Sequence, residues 1–163
     1  MNSSKKEVKL FYKRNSQDVD MPEHFDPRDS SKQNANEGDT FVFFGDFYGD
    51  ESRTNDTHAA STTIMYGVQS VSNEETIITA EIDCDFGNGN QLVLRGSICA
   101  KFFQIQNGQV IPYKTDKLHF PNVAVVQGTG DFERTTGCGK YIINGHQAGV
   151  GSLGELHLML NKK

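Results

Sequence analysis

The sequence predicts an all-β protein of about eight antiparallel strands in one small domain, built as a closed barrel or a sandwich. Three observations carry this. From Thr40 onward the chain falls into short β-rich runs, 40–48, 60–71, 75–86, 91–105, 109–113, 121–127, 138–144 and 153–160, separated by Gly-, Asn- and Ser-rich breaks. Within the longer runs apolar and polar side chains alternate with a period of two, the mark of a strand with one buried face. No stretch longer than two turns keeps a 3.6-residue apolar period, so helices are a minor part. At 163 residues, 36% hydrophobic and 10% aromatic, the chain can fill one sizeable core and is short for two ordinary domains.

The elements follow in order. Val8-Lys-Leu-Phe-Tyr-Lys13 reads as a first strand. Residues 14–38 are polar and rich in turn formers (Asn15, Ser16, Pro22, Pro27, Ser30, Asn34, Gly38), which makes them a long loop or a lid. Residues 1–37 are therefore a first strand plus a polar lid segment, and 38–163 the body of the single domain. The only apolar cluster in the polar segment surrounds Phe25, which reads either as a plug for one end of the body or as part of a disordered tail. In 41–47 the inward set is Phe41, Phe43, Gly45 and Phe47, and in the next run Thr62, Ile64, Tyr66 and Val68 share one face. In 76–86, Ile78, Ala80, Ile82, Cys84 and Phe86 point one way and Thr79, Glu81, Asp83 and Asp85 the other. In 92–102 the inward set is Leu92, Leu94, Gly96, Ile98, Ala100 and Phe102. Asn88-Gly89 and Asn107-Gly108 accept positive φ and close hairpins. The last run alternates Leu156, Leu158 and Leu160 with Glu155, His157 and Met159.

Charge and motif content exclude several functions. A formal charge of −5 gives no basic footprint, so neither nucleic acid nor an anionic membrane is an expected partner. No apolar run approaches the ~18 residues of a membrane span, and the polar start Met1-Asn-Ser-Ser-Lys-Lys lacks the apolar stretch of a secretory signal. The expected compartment is the cytoplasm. Three cysteines without C-x-x-C spacing make neither a disulfide framework nor a zinc site, and the five histidines show no ligand spacing. Gly149-Val-Gly-Ser-Leu-Gly154 matches a dinucleotide-binding string, yet no helix can follow it, so it reads as a turn. Asn55-Asp-Thr57 is a glycosylation sequon only in a secreted protein. No metal, nucleotide or flavin is expected. Glu81, Asp83 and Asp85 read as a solvated outer face rather than an acid/base cluster.

Two segments go further. Asp83-Cys-Asp-Phe-Gly-Asn-Gly-Asn-Gln-Leu-Val-Leu-Arg-Gly96 resembles the central hairpin of the allene oxide cyclase and dirigent family, and Val125-Val-Gln-Gly-Thr-Gly-Asp-Phe-Glu-Arg-Thr-Thr-Gly137 resembles its signature turn. Gly38-Asp-Thr-Phe-Val-Phe-Phe-Gly-Asp-Phe-Tyr48 is similar to that family's second strand, with Gly38, Asp39, Phe43 and Tyr48 matching the cyclase pattern and Asp46 the second Asp of the dirigent pair. The resemblance spans roughly residues 38 to 160. It implies one antiparallel eight-stranded, calycin-like β-barrel closed over an apolar interior. An eight-stranded barrel is wide enough either to be filled by its own side chains or to hold one small ligand.

Carried over residue by residue, the resemblance implies an altered pocket. Gly45 stands where plant allene oxide cyclases place a pocket Asn, Val42 for the neighbouring Pro, Tyr66 for a pocket Cys and Ile98 for a pocket Tyr. Thr136 takes the place of the Arg that dirigent proteins carry before the Gly closing the signature turn. What remains is similar to the bacterial cofactor-free barrel cyclases of the superfamily, which fold a linear polyketide-type chain and promote an intramolecular 4+2 closure. The expected function is that of a cofactor-independent cyclase acting on an apolar small-molecule substrate; the alternatives are a non-catalytic dirigent-like binding barrel and a filled barrel without a ligand. Tyr66 and Tyr12 are the candidate hydrogen-bond donors to substrate. Phe41, Phe43, Ile64, Ile82, Cys84, Leu94, Ile98 and Phe25 are the candidate walls. Homo-oligomerisation is left open.

Overall fold

The computed structural model describes residues 4–15, 18–26, 29–32, 35–71, 76–100, 103–106, 109–112, 118–147 and 151–162. The eleven strands are β1 (Ser4–Arg14), β2 (Val19–Asp20), β3 (Thr40–Tyr48), β4 (His58–Val71), β5 (Thr76–Asp85), β6 (Gln91–Ala100), β7 (Phe103–Gln106), β8 (Gln109–Pro112), β9 (Leu118–Thr129), β10 (Thr135–Gln147) and β11 (Gly151–Lys162). Eight of them, in the order β1-β11-β10-β9-β6-β5-β4-β3, form an antiparallel sheet that closes when β3 returns to β1 through Phe11↔Tyr48, Tyr12↔Phe47 and Lys13↔Asp46. The barrel expected from the sequence is the observed fold. Where β1 ends, the two-residue β2 takes over the free edge of β3, pairing Val19 with Phe43 and Asp20 with Val42. The run read as 91–105 is two strands, β6 and β7, and β7 pairs with β8 in a separate hairpin. Phe102 and the Asn107-Gly108 turn lie outside the described residues. The glycine string 149–154 is not simply a turn, since Gly151–Gly154 already belongs to β11.

Alternation decides the faces. Ile78, Ile82, Leu92 and Leu94 are buried, while Asp83 and Asp85 point out and Glu81 meets Arg95 across the strands at 2.6 Å. Each large apolar side chain sealed inside contributes about 1.5–3 kcal/mol. Bulges give the curvature that closure needs. At β9, Val125 pairs with Leu94 and Gln127 with Val93, leaving Val126 extra and half exposed.

The residues of the two family-like segments build one end of the barrel. Asn88 (φ 55°) and Gly89 (φ 79°) form the turn, with the Asn90 amide donating to the Gly87 carbonyl at 3.0 Å. The β9–β10 connection docks on it: Thr129 Oγ1 donates to the Gly89 carbonyl at 2.7 Å, and the Asp131 amide donates to Asn90 Oδ1 at 2.9 Å. Phe86 and Phe132 meet below, ring centroids 4.8 Å apart. Phe86, expected inside, is partly buried at this end.

The seam between β1 and β3 depends on Gly45. A Cβ there would lie 2.5 Å from Tyr12 Cε2 and 2.8 Å from the Lys13 carbonyl oxygen. Gly45→Ala is expected to push Tyr12 off its seat and destabilise the chain by about 1–3 kcal/mol, the cost of overpacking a dense interior; an unchanged urea midpoint contradicts this. On the outside, Arg53 staples the same seam, donating from Nε to the Tyr12 carbonyl at 3.0 Å and from a terminal amino group to the Gly154 carbonyl at 3.1 Å.

Candidate functional site

The opposite end of the barrel holds the candidate site. Phe41 and Phe43 reach it from β3, Tyr66 from β4, Phe120 from β9, Tyr141 from β10 and Tyr12 from β1. All six are buried. Five of the rings form a continuous chain: Phe43 meets Tyr66 edge-on at 5.3 Å, Tyr66 stacks on Phe120 at 5.8 Å, Phe120 on Tyr141 at 6.4 Å, and Tyr12 stands edge-on to Tyr141 at 6.3 Å. Tyr12 also touches Phe47 at 5.6 Å.

Over this end lies the polar segment. The Phe25 ring sits edge-on to Phe41 at 5.0 Å and is only 8% exposed, with its amide donating to the Pro22 carbonyl. Val19, Met21 and Ala35 pack on the same core. Asp39 fastens the segment: both carboxylate oxygens lie 2.8 Å from His24 Nε2, and one accepts the Asn36 amide at 2.6 Å. The Gly38 amide then donates to the Val68 carbonyl, tying the segment to β4.

The remaining wall residues fall where alternation put them. Ile64, Ile82 and Leu94 are cross-strand partners at the level of Phe43 and are sealed completely. Ile98 is partly buried at the rim. Cys84 lies deeper, paired with Leu92 toward the hairpin end; burial pushes its thiol up to about 12, so it is a protonated, unreactive filler at neutral pH. Sequence reasoning missed three residues here. Tyr141 was in phase with Ile143 in its run and thus legible. Phe120 was hidden because Pro121, which the β9–β10 bulge accommodates, reads as a strand break. Arg14 was assigned to the loop, yet it ends β1 and its guanidinium lies 4.8 Å over the Phe43 ring, held by Ser152 Oγ at 2.9 Å and the Asn15 carbonyl.

The chemistry available follows from the protonation states. Burial raises the Tyr12, Tyr66 and Tyr141 phenols well above the ordinary value, and Arg14 partly offsets this in all three. Tyr141 donates to the Tyr66 oxygen. Tyr12 Oη is buried with no hydrogen-bond partner; Arg14 stands beside it without closing a bond of ordinary geometry. Among the described residues no buried side chain is a carboxylate, a lysine or a histidine. The described part of the interior can donate hydrogen bonds and mould a shape, and shows no ionised base or activated nucleophile. Among the described residues no cluster of His, Cys, Asp or Glu has the makings of a metal site, and no helix is long and apolar enough to cross a membrane.

An alkaline titration reads these states. The folded phenols hold their protons above about pH 10, where an unfolded tyrosine releases them, so stability is full below that pH and lost as pH rises through the higher folded values. The expected loss is about 1.4 kcal/mol per pH unit for each phenol, roughly 4 for the three together. A urea midpoint that is flat between pH 10 and 11 contradicts the assignment.

A concavity lies on the outer face of the barrel. A groove of about 450 Å³ runs across β3 to β6, lined by outward Phe44, Thr63, Asp83, Asp85 and Val93 among others. Burial and neighbouring Glu81 raise the Asp83 carboxyl.

This fold is shared by solved proteins of several activities. No family model and no curated protein matches the sequence. A pterocarpan synthase dirigent protein superposes with a TM-score of 0.62 at 12% identity, covering 98% of this chain and 88% of its own. A nonspecific haem-binding cyclase that catalyses a 4+2 cycloaddition during neoabyssomicin biosynthesis superposes at 0.60 with 10% identity, covering 99% of this chain and 66% of its own. A pyocyanin demethylase superposes at 0.53 with 15% identity, covering 93% and 98%. The likeness is one of fold, the closed antiparallel β-barrel.

Proposed function

We propose that the chain is a cofactor-independent cyclase that folds a linear, largely apolar intermediate in the aromatic end of the barrel and promotes its intramolecular closure, of the 4+2 type. The observation that carries this reading is the buried Tyr12 hydroxyl without a hydrogen-bond partner, its ring set between Phe47 and Tyr141. A folded chain ordinarily satisfies or removes such a group, since leaving it unpaired costs about 1–3 kcal/mol. A group kept at that cost is suited to a ligand.

The chemistry asks for what the site has. A concerted cycloaddition transfers no proton and uses no nucleophile, so three neutral phenols and no base are sufficient. Phe41 and Phe43 hold diene and dienophile at near-attack distance in a dry space. A phenol aimed at the carbonyl that activates the dienophile strengthens as charge gathers on that oxygen. Tyr12 is the first such donor. Tyr66, polarised by the bond it accepts from Tyr141, is the second. Because the described ring systems already touch, the substrate takes the place of Phe25, and the described residues around it, 18–26 and 35–39, act as the lid that admits it.

The second reading, a non-catalytic barrel that orients a small molecule, is favoured by the same absence of an ionised group and by the likeness to a dirigent protein. One experiment separates the two. The purified chain is incubated with a linear polyene bearing an electron-poor alkene, before and after exhaustive dialysis against chelator. Faster closure than in buffer, to one stereoisomer and unaffected by the chelator, is expected. Closure at the buffer rate with the buffer mixture of isomers removes the cyclase reading.

A further inference from the structure

We infer that the site takes a ligand bearing an anionic oxygen, a carboxylate or an enolate on an apolar body, and that Arg14 and Tyr12 together hold that oxygen. The inference rests on the aromatic end of the barrel being the binding site and adds the class of molecule that fits it.

Arg14 ends β1 and turns back over the mouth rather than out to solvent. Its guanidinium lies over the Phe43 ring at 4.8 Å, and its hydrogen bonds go to neutral groups, Ser152 Oγ at 2.9 Å and the Asn15 carbonyl at 2.9 Å. No carboxylate pairs with it among the described residues. A half-buried cation without a counter-ion at the rim of an apolar site is an unfinished ion pair, because a charge partly removed from water is ordinarily matched. Two positions earlier on the same face, Tyr12 offers a buried hydroxyl that nothing accepts. The guanidinium can only donate, and the Tyr12 proton has no acceptor of ordinary geometry, so an oxygen anion is a group that accepts from both. Arg14 also lowers all three interior phenols against the upward push of burial, in keeping with its position over the Phe43 ring. Asp18 and Asp46 also act on Tyr12, but more weakly than Arg14. Phe41 and Phe43 beside them supply the wall for the apolar body.

A matched pair of probes tests this on the full chain: 2-naphthoate and neutral 2-naphthamide, alike in shape and differing in charge. Binding is followed by probe fluorescence, and lid opening by hydrogen exchange at the Phe25 amide. The parent is expected to bind naphthoate at least about ten-fold more tightly than naphthamide. Arg14→Gln abolishes the preference, Arg14→Lys retains most of it, and Tyr12→Phe narrows it several-fold. Ser152→Ala, which loosens the guanidinium without touching the charge, narrows it less. Equal affinities in the parent, or a preference that survives Arg14→Gln, overturn the anion assignment; if the Phe25 amide is nonetheless exposed by both probes, the binding site itself stands. Failure of both probes to bind, or binding with no change at Phe25, overturns the site and the anion assignment together.

Discussion

Tyr12→Phe is expected to make the protein more stable and less active. The Tyr12 hydroxyl is buried and unpartnered, so its removal relieves a desolvation cost of about 1–3 kcal/mol, while the ring keeps its contacts with Phe47 and Tyr141. For a chain of this size each kcal/mol raises Tm by roughly 2–4 °C. Loss of a donor to the developing oxyanion slows turnover on the order of 10²-fold. Urea unfolding and steady-state kinetics of one variant give both numbers. A destabilised variant with parental turnover would show that the hydroxyl is satisfied by the protein and serves only the fold.

Tyr66→Phe is expected to slow turnover roughly 30- to 1000-fold, equivalent to 2–4 kcal/mol of transition-state stabilisation. Its effect on stability has the opposite sign to that of Tyr12→Phe. Tyr141 donates to the Tyr66 oxygen, and without that acceptor a buried hydroxyl is left unpaired, costing about 1–3 kcal/mol. Substrate affinity changes less, because the ring remains as a wall against Phe43 and Phe120. If catalysis is by shape alone, Tyr66→Phe leaves the rate nearly unchanged, and Phe41→Ala or Phe43→Ala erodes both rate and stereoselectivity by loosening the space around the reacting chain. Rates for the three variants on one substrate separate donor from mould. Parental rates in all three would move the chemistry elsewhere.

The strand-rich body was legible because a half-buried strand writes its two faces into the sequence. Ile78 to Cys84 and Leu92 to Leu94 show the period of two, and the Asn88-Gly89 turn between them admits few other conformations. Closure was less legible. It depends on three residue pairs between β1 and β3 and on Gly45 leaving room for Tyr12, and nothing near residue 45 announces a tyrosine from residue 12. Bulges hid what they displaced: Phe120 looked isolated because Pro121 follows it. The polar segment read as a loop or a lid; the burial of Phe25 against Phe41 was suggested by its apolar surroundings, but the fastening by Asp39, His24 and Asn36 is a matter of side-chain geometry that composition does not record. Tyr12 and Tyr66 were identified as inward polar groups. Which of them is paired and which is not depends on Tyr141, whose sequence distance from both is large.

A structure of the chain with bound 2-naphthoate tests the placement of the site most directly, because the aromatic end of the barrel and the outer groove lie on opposite sides of the same strands. The expected result is a naphthalene ring beside Phe41 and Phe43, the carboxylate between Arg14 and Tyr12 Oη, and Phe25 lifted from its 5.0 Å contact with Phe41. A ring lodged outside against Phe44 and Val93, with Phe25 still seated, would contradict it.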